Sequence, residues 1–265
     1  MIFSQKCPII YLDNFLGREC DLHMKKTTKL KGRKCIVAML LAVMVFPTMN
    51  VEAKQVTTAD PTKIIVIDPS GQETANKRKE PVGPGAFKTT AETPTSENGA
   101  KTGCADYDIN LQIALKLQDI LKEQGYTVLL TRASNDVDIS NSGRAMIANT
   151  AGADVFVVIS GSETSGISVV CQSEDNPYNY GNYKNGRLLS DAIVGSVSQN
   201  TNTNDATVEE MDDKAAINWC EVPTAIVEVG AITNKNDEEK LVTDDYQSEM
   251  ALGIANGIDS YFTQK

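Results

Sequence analysis

The chain has 265 residues, 41% hydrophobic and 23% charged, enough apolar material for one globular core and too much for a disordered tail. Its formal charge is −10, and residues 54–265 alone hold 17 basic against 31 acidic side chains, so no cationic surplus exists to neutralise phosphates and nucleic acid is excluded as a partner. The chain has one histidine, His23. Because it falls in a segment that export would remove, chemistry that needs an imidazole is excluded for the mature protein.

From Met24 to Lys34 the sequence carries six positive charges, followed by a 12-residue apolar run, Cys35 to Phe46, and a small-residue site at Val51-Glu52-Ala53. That order reads as a signal peptide over 24–53, with 1–23 as an upstream extension and 54–62 as a linker. The apolar run is short for a bilayer, so cleavage leaves no stable membrane span and a secreted, cell-wall or envelope location. Three of the six cysteines, Cys104, Cys171 and Cys220, then remain. They allow one disulfide at most, and the absence of a CxxC pair argues against a cysteine-rich zinc site.

Lys63-Ile-Ile-Val-Ile-Asp68 is a β-branched run closed by Pro69-Ser70-Gly71, the pattern of a buried parallel strand that delivers a loop. Residues 72–104 are polar, rich in proline and glycine, and read as one long functional loop. Ile109, Ile113, Leu117, Ile120 and Leu121 repeat at helical spacing before a glycine cap at Gly125. A strand over Tyr126–Thr131, a helix capped by Ser140 and stopped at Gly152, and a strand over Asp154–Ile159 follow. Ile167–Cys171 reads as a further strand, Leu188–Val197 as a helix, 200–213 as a polar excursion and Thr224–Val229 as the last core strand. A short helix near Asp237–Leu241 and one with Tyr246, Met250, Ile254, Ile258 and Phe262 on a single stripe end the chain. The alternation predicts an α/β fold of three layers, a mostly parallel twisted sheet with helices on both faces, in one domain over 63–265.

In such sheets ligands bind beyond the carboxyl ends of the strands. Those ends are Asp68–Gly71, Ser160–Ser162 and Glu228, joined by Asp106 at the start of the first long helix. Singly, each carboxylate has an ordinary structural use as a loop cap, a helix N-terminal charge or a group satisfied by backbone donors.

Taken jointly, the residues resemble a known family. The matches are Ile65-Val-Ile-Asp-Pro69, Glu80-Pro-Val-Gly-Pro-Gly85, Asn110–Leu117, Asp138–Ala145, Ala148-Asn149 with Ala153-Asp154, Ile217–Cys220, Val222-Pro223, Glu228-Val-Gly230, Thr233-Asn234 and Tyr246-Gln247. In this order they are similar to the zinc-dependent N-acetylmuramoyl-L-alanine amidases of bacterial cell-wall and spore-cortex remodelling, over about residues 63–262. The resemblance implies a zinc site of two histidines and one glutamate with an open position, and a separate glutamate as general base.

Carried over position by position, the first histidine falls on Gly71, the glutamate ligand on Asp106 and the second histidine on Ser160. Only the general base is kept, as Glu228. Asp68, Ser162 and Arg144 are the binding residues that the same motifs imply. Glycine offers no donor and a neutral serine hydroxyl is a poor one, so no zinc or other cofactor is expected, although oxygen ligands from Asp68, Asp106 or Glu228 would suit Ca²⁺ or Mg²⁺. The expected function is therefore an exported, catalytically inactive amidase-family domain that binds a peptidoglycan stem peptide or an active wall hydrolase. The alternatives are an active amidase with an unusual metal site and Glu228 as base, and an acidic interaction module unrelated to the wall.

Overall fold

The structure is a computed structural model that describes residues 60–265. The extension, the signal peptide, most of the linker, His23 and the first three cysteines lie outside the described residues. Six strands form the main sheet: β1 (Ile64–Pro69), β4 (Thr127–Leu130), β5 (Val155–Ser160), β6 (Ser168–Cys171), β7 (Thr207–Glu210) and β8 (Thr224–Glu228), in the order β4-β1-β5-β8-β6-β7. Two more, β2 (Asn76–Pro81) and β3 (Thr89–Thr93), make a separate antiparallel ribbon. The helices are α1 (Asp106–Gln124), α2 (Asn141–Ala151), α3 (Tyr183–Asn200), α4 (Ala215–Asn218), α5 (Lys235–Leu241) and α6 (Asp244–Gln264).

Strands β4, β1, β5 and β8 run parallel, as their short helical crossovers require. Because the sheet is covered on both faces, successive residues of one strand enter two different cores. Ile65, Ile67, Val155, Val157, Ala225 and Val227 pack with α1, α3 and α6. Val66, Phe156, Val158 and Ile226 pack with α2 and α4. The expected three-layer α/β architecture is present.

Strand β6 is the exception, pairing antiparallel to β8. The segment from Gly161 to Ile167 leaves β5, crosses over the carboxyl end of β8 and enters β6 on its far side. The register then sets Ser160 of β5 and Ser168 of β6 on either side of Glu228.

Two segments read from sequence as loops contain strands. Within 72–104 lies the β2–β3 ribbon, and within 200–213 lies β7. Ribbon strand β2 exposes Lys77, Arg78 and Lys79, and β7 is a polar edge strand, so neither has the buried apolar alternation that makes a strand legible. The ribbon is firmly attached. Glu80, buried, accepts from the Ser142 backbone N–H (3.2 Å) and from its hydroxyl at the start of α2, while the Trp219 indole donates to the Pro81 carbonyl (2.9 Å).

Helices α3 and α6 meet backbone to backbone at glycine. A Cβ at Gly257 would stand 2.5 Å from the Ile193 Cα, and one at Gly253 2.8 Å from the Val197 Cα. Gly257→Val is therefore expected to lower the unfolding free energy by about 2–3 kcal/mol, since the clash is with main chain and not with a movable side-chain end. Urea melts check this, and a variant as stable as the parent would mean that the two helices part freely.

Cys171 and Cys220 are buried free thiols, not partners in a disulfide. Burial pushes both up to about 11. At pH 8 the reactive thiolate is then only roughly a thousandth of each, so alkylation of these two positions, mapped by mass spectrometry, is expected to be slow in the native protein and fast in urea. Rapid native labelling at either position would contradict that placement.

Candidate functional site

The loop after β1 is held from below by two buried arginines. Arg144, on α2, pairs with Asp68 through Nη1 at 2.7 Å, with both side chains almost fully buried. It also donates to the carbonyls of Ile139, Pro69 and Gly71 and to the Gln72 amide oxygen. The Thr131 hydroxyl gives Asp68 a second donor. Arg132 donates to the carbonyls of Pro69, Ser70, Tyr107 and Ser134 and to Asn135. Burial first, and the Arg144 charge second, push the Arg132 guanidinium down to about 10, which leaves it a cation at neutral pH. Asp68 and Arg144 thus spend their polar capacity on each other and on the loop backbone, and their effect on a ligand runs through the loop's shape.

Gly71 stands in this loop with φ +77°, a left-handed conformation that disfavours any side chain. A Cβ there would meet the Tyr107 Cβ at 3.2 Å. Asp106, in the first turn of α1, accepts from the Ser96 hydroxyl and from the Glu97 backbone N–H (3.3 Å), and its Cβ lies 3.3 Å from where a Gly161 Cβ would be. Ser160 turns its hydroxyl to the Gly161 carbonyl (3.0 Å).

Glu228, at the carboxyl end of β8, keeps only 12% of its side-chain surface exposed. Its Oε2 accepts from the hydroxyls of Ser168 (2.9 Å) and Ser162 (3.3 Å), and Oε1 faces the Lys214 ammonium at 3.5 Å. Ser162 is buried under the arch over β8, where its Oγ also accepts from the Thr164 backbone N–H (3.1 Å). Asp237 fastens that arch, taking the Gly166 and Ala231 backbone N–H groups at 3.0 Å each and the Ser165 hydroxyl at 3.1 Å. The three carboxylates considered as oxygen ligands do not converge: Asp68 faces Arg144, Asp106 faces the 96–97 segment and Glu228 faces Lys214. Among the described residues, no group of three or more His, Cys, Asp or Glu side chains is placed to share a metal.

Sequence reading missed two residues here. Lys214 pairs with Glu228 from 14 positions away, and no local pattern announces it. Glu80 lies inside a motif quoted above, but its bonds to Ser142 in the first turn of α2 depend on where the ribbon folds back.

Comparison with known proteins bears on this arrangement. The model of the N-acetylmuramoyl-L-alanine amidase family matches residues 65–260. The chain is 34% identical over 164 residues to the uncharacterized protein YqiI of Bacillus subtilis, covering 61% of this chain and 77% of that one. It is 25% identical over 172 residues to the germination-specific N-acetylmuramoyl-L-alanine amidase of the same organism, covering 60% and 71%. The crystal structure of the amidase Ami1 from Mycobacterium smegmatis shares the fold, with a TM-score of 0.68, 18% identity and coverage of 77% and 98%. With the family model spanning both layers of helices and every strand of the main sheet, the chain belongs to the N-acetylmuramoyl-L-alanine amidase family.

Proposed function

We propose that this chain is an exported amidase-family domain that binds peptidoglycan, through a stem peptide or beside an active wall hydrolase, and does not hydrolyse it. The observation that carries the reading is Gly71: the position matched to the family's first histidine holds a residue with no donor atom, on a backbone turned to φ +77°. Zinc, on which the family generally depends, does not fit the residues present. Ser160 supplies a neutral hydroxyl already committed to Gly161, and Asp106 is committed to Ser96 and Glu97. One shared carboxylate is a weak holding for a metal that takes three protein ligands in catalytic sites.

Glu228 is already engaged: its Oε2 accepts from the Ser162 and Ser168 hydroxyls, and its Oε1 faces the Lys214 ammonium. What remains at the strand ends is a set of hydroxyls, one ammonium and one carboxylate, groups that bind a peptide by polar contacts. The signal-peptide pattern over 24–53 supports export to where that ligand occurs.

The test is to incubate the purified protein with peptidoglycan and added Zn²⁺ and to measure newly exposed stem-peptide amines, beside a sedimentation assay for wall binding. The expected result is co-sedimentation without amine release. Release that disappears in Glu228→Ala would overturn the reading and establish a working amidase. Failure to co-sediment would remove the wall as ligand.

A further inference from the structure

The ammonium of Lys214 is an unusual group to find at the heart of this site. It forms an ion pair with Glu228 at 3.5 Å, longer than a charge-assisted hydrogen bond, and among the described residues it donates no hydrogen bond. An ammonium carries three donors. Its side chain is 37% exposed, whereas that of Glu228 is 12% exposed, so the pair has a solvent-accessible positive end and a largely covered negative one. The Lys214 backbone is held at the start of α4, where its carbonyl accepts from the Ile217 and Asn218 backbone N–H groups at 3.1 and 3.0 Å. Glu228 is held by Ser162 and Ser168. The result is a negative group held by two hydroxyls beside a positive group with unused donor capacity.

From this we infer that Lys214 and Glu228 form a recognition site for a zwitterion, an α-ammonium carboxylate head group such as an amino acid carries. The inference rests on the peptidoglycan-binding reading above and names the chemical class that this pair accepts. Three physical points select this class. A carboxylate satisfies the open donors of Lys214. An ammonium one carbon away meets the Glu228 oxygen that Lys214 approaches only loosely, so ligand and protein exchange one neutral pair for two tighter contacts. A simple anion is disfavoured twice, by the adjacent Glu228 carboxylate and by the excess of 31 acidic over 17 basic residues in 54–265, whereas a zwitterion carries no net charge for that field to repel.

The experiment titrates the purified full chain with L- and D-norleucine, followed by thermal shift and by ligand-observed NMR. Hexanoate, which lacks the ammonium, and pentylamine, which lacks the carboxylate, are the controls. Saturable binding of norleucine is expected, with both controls weaker by about tenfold or more. Lys214→Met and Glu228→Gln should each weaken norleucine by about tenfold or more. Lys214→Met leaves Glu228 its bonds from Ser162 and Ser168, and its thermal melt is recorded beside the parent's so that a folding defect is told apart from lost binding. Equal binding to Lys214→Met, equal binding of hexanoate, or no saturation by about 50 mM overturns the inference. Wall co-sedimentation that persists while norleucine fails would sink this inference and leave the proposed function standing. Loss of both would sink the function as well.

Discussion

Arg144→Met is expected to destabilise the protein by about 3–5 kcal/mol, measured as the shift of a urea unfolding transition at unchanged slope. The magnitude follows from what is left behind. Asp68 is 1% exposed and keeps one side-chain donor, the Thr131 hydroxyl, so its charge would sit unpaired inside the protein. Arg144 further ties together the carbonyls of Ile139, Pro69 and Gly71, so the variant also frees the loop that ends β1. Removing both charges at once, as in Asp68→Leu with Arg144→Met, should cost less than the sum of the two single changes, because neither charge is then stranded. A loss below about 1 kcal/mol in Arg144→Met would mean that water reaches Asp68 and that the pair is not the clamp described above.

The second large effect concerns metal. Placing histidine, glutamate and histidine at the positions that the resemblance pairs with the family's ligands, by Gly71→His, Asp106→Glu and Ser160→His, is expected not to yield stoichiometric zinc by metal analysis after dialysis. A histidine at position 71 must adopt φ near +77° at a cost of roughly 1–2 kcal/mol, and its Cβ starts 3.2 Å from the Tyr107 Cβ. The longer carboxylate at position 106 would also have to leave Ser96 and Glu97 before it could reach a metal. Gly71→Ala isolates the first of these terms, with an expected loss of about 1–2 kcal/mol in urea. Tight zinc in the triple variant would show that three side chains alone separate this chain from a metal site and that its backbone had stayed ready for them.

Much of the scaffold was legible because its periodicities are strong. The run Ile64–Ile67, the helical spacing from Ile109 to Leu121 closed by Gly125, the Ser140 cap and the run Val155–Ile159 each bury what their pattern says they bury. The ribbon and β7 were not legible. Their residues face solvent or meet other polar groups, and a strand without a buried face leaves no period-2 signal. At the candidate site, the carboxyl ends of β1, β5 and β8 lie side by side in the sheet, as the strand pattern implied. Asp68 and Arg144, expected as groups that meet a ligand, are both buried and paired with each other.

The succession of the buried strands and amphipathic helices, the two apolar faces of the sheet, and the donor atoms that each side chain carries are properties of the sequence by itself. They depend on local spacing and on which atoms a side chain has, and no fold can give glycine a donor. Partnership was decided only in three dimensions. Asp68 finds Arg144 76 positions away, Glu80 finds Ser142 across 62, and Lys214 reaches Glu228 only because β6 turns back beside β8 and α4 leads into it. Charge interactions act over a few ångströms with no regard for chain separation, so whether a carboxylate is a ligand, a cap or half of an ion pair was set when the backbone closed around it.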